Sequence, residues 1–361
     1  MFDIKEIIEK YILELPPYPK GKEWQGEGNL VRISANENSL GPSPKALDAI
    51  SKALKDINRY SDGTGINLKD KLAHNLNLSP ENIILGNGSN EIIELAVRTF
   101  SKKGAEVLLP EPTFAYYRIA AQAQGMRCIT IPLSNFKINL AGMAKKVTSR
   151  TRLIFLSNPN NPTGTIFTRS ELEDFLAHLP SHIVVLIDEA YGEYVVDDEY
   201  PLYLDYMKWG KWIITAKTFS KFYGLAGLRI GYGLAREELI EQLGKVRQPF
   251  NVNFLALVGA KAALGDEDHR NKTATMNREG KQYLYRELSR LGLSFITTEA
   301  NFILIHFGAH ASNVLERLLE ERIVVRSMEG YGLGEFLRVT IGLPEENNRF
   351  VQALEKWQKS S

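Results

Sequence analysis

The sequence predicts an α/β protein: a large domain with a mostly parallel central sheet flanked by helices, followed by a smaller α+β domain. Two observations predict this. From residue 81 onward, short apolar runs alternate with stretches whose apolar residues recur at helical spacing. After about residue 265 that texture changes, and one long charged stretch leads into strands with few helices between them. A chain of 361 residues, 44% hydrophobic and 24% charged, can bury cores of this size.

Residues 1 to about 30 read as an arm, because they are rich in charge and carry Pro16-Pro17-Tyr18-Pro19 with Gly21, Gly26 and Gly28. The large domain is expected over 31–265 and the small one over 266–361. Packing of the large domain's first residues, to about 50, against the small one is left open. Asn82–Leu85 is a strand, and a helix follows from about Asn90 to Phe100 with Ile92, Ile93, Leu95, Ala96 and Phe100 on one stripe. Next come a strand at 106–109, a helix at 116–124 and a strand at 128–131. The strand at 153–156 leads into an Asn-Pro-rich loop. Thr168-Arg169-Ser170-Glu171 has capping-box spacing and starts a helix. Strands are expected at 183–187, 212–215 and 228–232. Beyond them lie a helix over 266–291, strands at 295–297, 302–305 and 337–340, and helices at 312–321 and 345–358.

Composition excludes several classes. The formal net charge is +1, so nothing in the balance points to nucleic acid or an anionic membrane. One cysteine, Cys128, excludes an intramolecular disulfide framework and a cysteine-based zinc cluster, and no metal site is expected. Met1–Glu6 lacks a basic stretch followed by an apolar one, and no run approaches the roughly 18 apolar residues that span a bilayer. A cytoplasmic location in a bacterium is expected.

Four groups of residues carry chemistry. Gly86-Asn87-Gly88-Ser89-Asn90 joins a strand to a helix, where glycines and free helix N–H groups suit a phosphate. It reads equally as a tight turn capped by Ser89 or Asn90. Asn158 to Gly164 follows a strand, where open α/β sheets bind ligands. Its two Asn-Pro steps predict a rigid, extended loop that aims the Asn161 amide at a ring oxygen, or else a structural turn. Asp188 ends the apolar run 183–187, so its carboxylate is partly buried and needs a partner. A protonated pyridine nitrogen is one; an N-cap or a local salt bridge is the other reading. Tyr191, three residues on, is placed to reach a phenolic oxygen or simply to pack. Last come Ser220, Lys221 and Arg229, in a small, aromatic and glycine-rich run that would desolvate the amine, with a guanidinium fork suited to phosphate. A lysine able to form a Schiff base, an acid and an arginine in this order suggest pyridoxal phosphate chemistry.

Together these motifs resemble the fold-type I pyridoxal-phosphate enzymes, the aspartate aminotransferase superfamily, and within it the histidinol-phosphate aminotransferases. Ser34-Ala35-Asn36-Glu37-Asn38, Asn58-Arg59-Tyr60, Glu111-Pro112-Thr113-Phe114, Arg247 to Asn253, Val325-Arg326 and Leu337 to Thr340 extend the resemblance over nearly the whole chain. It implies Lys221 as the cofactor-linked lysine and proton carrier, with Asp188 on the ring nitrogen. Asn161 and Tyr191 match the residues on the phenolic oxygen, and Phe114 the residue stacked on the ring. Gly88, Ser89, Asn90, Thr218, Ser220 and Arg229 resemble the phosphate cup. Tyr60 matches a tyrosine that reaches that phosphate from the partner of a homodimer. Arg326, Arg338 and Tyr18 match residues on the substrate phosphate.

The implied reaction converts L-histidinol phosphate and 2-oxoglutarate to imidazole-acetol phosphate and glutamate, in histidine biosynthesis. Aromatic aminotransferases and threonine-phosphate decarboxylases are also similar, the latter including Lys221 to Gly224. The fold also serves as a sensing domain in transcription regulators, a reading that needs a basic DNA-binding module and is not expected here. The sequence departs from the family's pattern at Ser61, Asn90 and Lys217, and over the short segment 21–29.

Overall fold

The computed structural model describes residues 3–15, 29–102 and 104–360. In chain order its strands are β1 (Val31–Arg32), β2 (Ile83–Gly86), β3 (Glu106–Glu111), β4 (Arg127–Pro132), β5 (Thr151–Ser157), β6 (Val184–Asp188), β7 (Trp212–Thr218), β8 (Gly231–Ala235), β9 (Ser294–Ile296), β10 (Phe302–His306), β11 (Ile323–Val324), β12 (Arg326–Ser327) and β13 (Phe336–Thr340). The helices are α1 (Lys10–Leu13), α2 (Pro44–Ala53), α3 (Ile66–Leu76), α4 (Ser89–Phe100), α5 (Tyr116–Ala123), α6 (Leu140–Ala144), α7 (Arg169–His178), α8 (Glu237–Val246), α9 (Phe254–Leu264), α10 (Glu267–Arg290), α11 (Ala311–Glu320) and α12 (Pro344–Ser360).

The large sheet has the order β2-β8-β7-β6-β5-β3-β4. From β7 across to β4 all neighbours are parallel, whereas β8 runs against both β7 and β2. Strands covered on both faces read as continuous apolar runs, and alternate residues serve opposite cores. Val107, Leu109, Leu153, Phe155, Val184 and Leu186 face one cluster with Ile92, Ile93 and Ala96 of α4. Leu108, Ile154, Leu156, Val185 and Ile187 face the other, with Leu172, Phe175 and Leu176 of α7. The capping box forms as read: Glu171 N donates to Thr168 Oγ1, and Thr168 N donates to Glu171 Oε2 at 2.7 Å.

A second, antiparallel sheet, β12-β13-β10-β9, packs with α10, α11 and α12 around its own core. Val31 and Ile33 belong to that core, since β1 pairs with β11, while Ala46 of α2 packs against the large sheet. In the arm, residues 3–15 bury no side chain. Among the described residues no helix is long and apolar enough to cross a membrane.

Two expectations need correction. The strand placed at 228–232 lies at Gly231–Ala235. Ala226–Leu228 is a short 3-10 turn, and Arg229 takes a left-handed backbone (φ 55°) that ends it, so the apolar residues around Arg229 do not start the strand. The Asn-Pro loop is not extended either. Gly164 N donates to Asn160 O at 2.6 Å, folding the loop into a turn.

Candidate active site

The topology brings five strand ends to one edge. β3, β5, β6 and β7 are parallel, and β2, two reversals away, points the same way. Their carboxyl ends therefore deliver Phe114, Asn161, Asp188, the Thr218–Lys221 segment and the Gly88 turn to one crevice, the usual ligand position in such sheets. A cavity of about 530 Å³ opens there.

One end of the cavity is built for an anion. α4 starts at Ser89 with no side-chain cap, and Gly88 before it has φ 74° and ψ 174°, a conformation open to glycine. Neither Ser89 nor Asn90 caps the helix; both line the cavity, which leaves the first N–H groups and the positive end of the dipole facing it. A β-carbon on Gly88 would fall 2.8 Å from Arg229 Nη2, so a side chain there would displace that guanidinium. Arg229 Nη1 donates to Ser220 Oγ at 3.3 Å and to Ala226 O at 2.9 Å. Thr218 Oγ1 donates to Ser220 Oγ (3.0 Å) and accepts from Ser220 N (3.1 Å).

At the other end lies Asp188, 3% exposed. Tyr117 Oη donates to its Oδ2 at 2.8 Å and Ala190 N to its Oδ1 at 3.0 Å. Burial still pushes the carboxyl up to about 6, against the lowering effect of Tyr117, the Ala190 amide and Lys221. A cationic N–H donor would relieve that desolvation. Asp188 is thus neither an N-cap nor half of an ion pair within the described residues. Tyr117 itself is fully buried, stacked on Phe155 at 4.9 Å and edge-on to Phe114 at 5.5 Å.

Lys221 lies between the two ends. Its Nζ donates to Ala35 O at 2.7 Å. Burial, then the charges of Arg338 and Arg229, lower it to about 8, with Glu37 and Asp188 opposing. An amine with that value supplies free base near neutrality. Tyr191 Oη accepts from Asn36 Nδ2 at 2.9 Å, and burial raises its phenol to about 12. Asn161 Oδ1 accepts from Arg338 Nη1 at 2.5 Å, and Arg338 Nη2 donates to Ser34 O at 3.0 Å.

Arg326 and Arg338 are directly opposed across the β12–β13 ladder, and both line the cavity. Like charges so placed repel, an arrangement that a bound anion would turn into an attraction. Phe114 lines the cavity as well. Tyr60 does not: it is 84% exposed and stacks on Phe250 at 4.7 Å. Tyr18 lies outside the described residues.

Sequence reading missed Ser157, Tyr331 and the amide of Asn36 as parts of this wall, and Tyr117 behind it as the donor to Asp188. Lys217, beneath the site, pairs with Glu189 at 3.6 Å and Glu193 at 3.2 Å. Burial opposes its charge, but the two carboxylates outweigh that and hold it well above the ordinary lysine value.

The cavity therefore offers an anion cup, a buried acid for a cationic ring donor, and an amine between them. These residue types fit a phosphate-bearing pyridine aldehyde.

Comparison with known proteins agrees in outline. Residues 28–354 match the family described as aminotransferase class I and II. A histidinol-phosphate aminotransferase of Moorella thermoacetica is 45% identical over 95% of this chain and 91% of its own. Histidinol-phosphate aminotransferase 2 of Hydrogenovibrio crunogenus is also 45% identical, over 97% of this chain and 96% of its own. The crystal structure of histidinol-phosphate aminotransferase from Sinorhizobium meliloti, in complex with pyridoxal-5'-phosphate, superposes with a TM-score of 0.89. It is 28% identical and covers 98% of both chains.

Proposed function

Because this chain belongs to the class I and II aminotransferases, we propose that it exchanges the amino group between L-histidinol phosphate and 2-oxoglutarate, with pyridoxal phosphate as its cofactor. When bound, that cofactor supplies a carbonyl for amines and a ring that withdraws electrons from the substrate carbon. Lys221 Nζ holds the cofactor and carries the proton to and from that carbon; its lowered basicity supports this role. Asp188, fixed by Tyr117 and the Ala190 amide, keeps the ring nitrogen protonated. Asn161 and Tyr191 hold the phenolic oxygen. Phe114 covers the ring. Gly88, Ser89, Asn90, Thr218, Ser220 and Arg229 receive the cofactor phosphate. Amino donor and acceptor use the same cavity in turn, so ping-pong kinetics follow.

The observation that carries the substrate reading is the opposed pair Arg326 and Arg338, both lining the cavity. One carboxylate needs one arginine; two suit a phosphate. If both grip the substrate phosphate, Arg326→Ala lowers kcat/KM for histidinol phosphate by about 10- to 150-fold, from a charged hydrogen bond of roughly 1.5–3 kcal/mol. Histidinol lacking the phosphate is then a poor substrate and indifferent to the substitution. An Arg326→Ala enzyme that keeps full activity on histidinol phosphate contradicts this assignment.

The reading includes a homodimer in which Tyr60 serves the partner's cofactor phosphate and Tyr18 the substrate. Support for the Tyr60 part comes from its exposure and its stacking on Phe250, outside its own cavity. A cytoplasmic setting belongs to the same reading, supported by the single free thiol of Cys128.

A further inference from the structure

We propose that Glu37 determines substrate specificity by accepting a hydrogen bond from the imidazole of the substrate; this rests on reading the cavity as a histidinol-phosphate site. The starting point is the charge inventory of the cavity wall. Four cations line it: Lys221, Arg229, Arg326 and Arg338. Two carboxylates face them. Asp188 is buried and bonded to Tyr117 and the Ala190 amide. Glu37 is exposed, and among the described residues its carboxylate has no hydrogen-bond or ion-pair partner.

The backbone around Glu37 is nonetheless fixed on both sides. Asn36 is 1% exposed with a left-handed backbone (φ 56°); its N–H donates to Thr340 Oγ1 at 2.9 Å and its amide to Tyr191 Oη. Asn38, 7% exposed, donates to Phe222 O at 2.9 Å and Thr273 Oγ1 at 3.1 Å. Asn301 Nδ2 donates to Asn36 O at 3.0 Å and Glu37 O at 3.4 Å. A buried Asn-x-Asn clamp thus presents the middle residue to the cavity, while that residue's own side chain bonds nothing among the described residues. It also lies near the chemistry, since Lys221 bonds the carbonyl of Ala35 two residues away.

With the substrate phosphate on the arginines and its amine at the cofactor, the imidazole is the substrate's remaining polar group. An imidazole N–H donates to a carboxylate with the strength of a charge-assisted bond. A phenyl ring donates nothing and would desolvate Glu37 without return, so the same residue rejects phenylalanine. Glutamate, an anion, gains nothing from Glu37 either.

The test is steady-state and half-reaction kinetics on the cofactor-loaded enzyme and its Glu37→Gln and Glu37→Leu variants. Denaturant curves and cofactor absorbance check that both variants fold, which the exposure of Glu37 favours. We expect kcat/KM for histidinol phosphate to fall by about 10- to 150-fold, mainly through KM. The glutamate half-reaction should lose far less than the histidinol phosphate one, and Glu37→Leu should gain on phenylalanine. Equal losses on histidinol phosphate and glutamate would show that Glu37 acts only through Lys221 and overturn the proposal. So would an unchanged KM for histidinol phosphate in an active enzyme, which leaves the transamination reading standing. A wild-type enzyme inactive on histidinol phosphate overturns both.

Discussion

Lys221 and Asp188 owe their chemistry to burial. The same desolvation lowers the lysine to about 8 and raises the acid to about 6, so each is displaced toward its neutral form and each gains from a ligand of the right polarity. On this account Asp188→Asn leaves the ring nitrogen without an anionic partner and lowers turnover by about 100-fold or more, the scale of losing one preorganised electrostatic group. Tyr191→Phe removes one hydrogen bond of roughly 0.5–1.5 kcal/mol and costs about tenfold at most. Comparing kcat for the two purified variants decides it, and the reverse ranking would make Asp188 structural. Lys221, Asp188, Asn161 and Arg229 were legible as neighbours in one cavity through the order of their motifs, although the runs around Asn161 and Asp188 each allowed a structural reading as well. Tyr117 was not legible. Its partner is 71 positions away, and nothing local separates a phenol that donates to a buried acid from an ordinary core aromatic. Asn36 was hidden for the same reason, its partner Tyr191 lying 155 positions off.

At the scale of elements, the anion cup depends on how closely two pieces of backbone approach. A β-carbon at Gly231, the first residue of β8, would lie 2.6 Å from Gly88 C, Ser89 N and Lys217 O, all backbone atoms that cannot swing aside. Gly231→Ala should therefore cost about 1–3 kcal/mol of stability, as overpacking does, and push the Gly88–Ser89 turn outward, weakening cofactor affinity. Urea denaturation and a cofactor titration of the stripped protein measure both; unchanged stability with unchanged affinity would contradict the close approach. The strands of the large sheet were legible because burial on both faces makes their sequences almost wholly apolar. The segment 228–232 misled because Leu228 and Ile230 look strand-like while the left-handed Arg229 between them breaks the strand. Helices α2, α3, α8 and α9 went unread, and α9, apolar on most of its circumference, shows no stripe to read. The two-residue strands β1, β11 and β12 are too short to carry a period, although β12 is the one that sets Arg326 against Arg338.

For the whole molecule, the proposed homodimer is tested through Tyr60. If Tyr60 serves the partner's site, mixing Tyr60→Ala with Lys221→Ala subunits yields hybrid dimers with one intact site, and activity rises above that of either variant alone. Subunit exchange shown directly, with no such rise, would mean that Tyr60 acts within its own chain. The order of motifs along the chain was enough to read the α/β class and its parallel sheet, because five separate loops must reach one sheet edge. The pairing of Arg326 with Arg338 depends on the register of the second sheet, which no local pattern records. The central claim is that this cavity transaminates a phosphate-bearing imidazole amine. It is tested most directly by kcat/KM of the purified, cofactor-loaded enzyme for histidinol phosphate, phenylalanine, tyrosine and threonine phosphate, with 2-oxoglutarate as acceptor and carbon dioxide release followed in parallel. The account predicts the highest value for histidinol phosphate and no carbon dioxide; a higher value for phenylalanine or tyrosine, or decarboxylation of threonine phosphate, would contradict it.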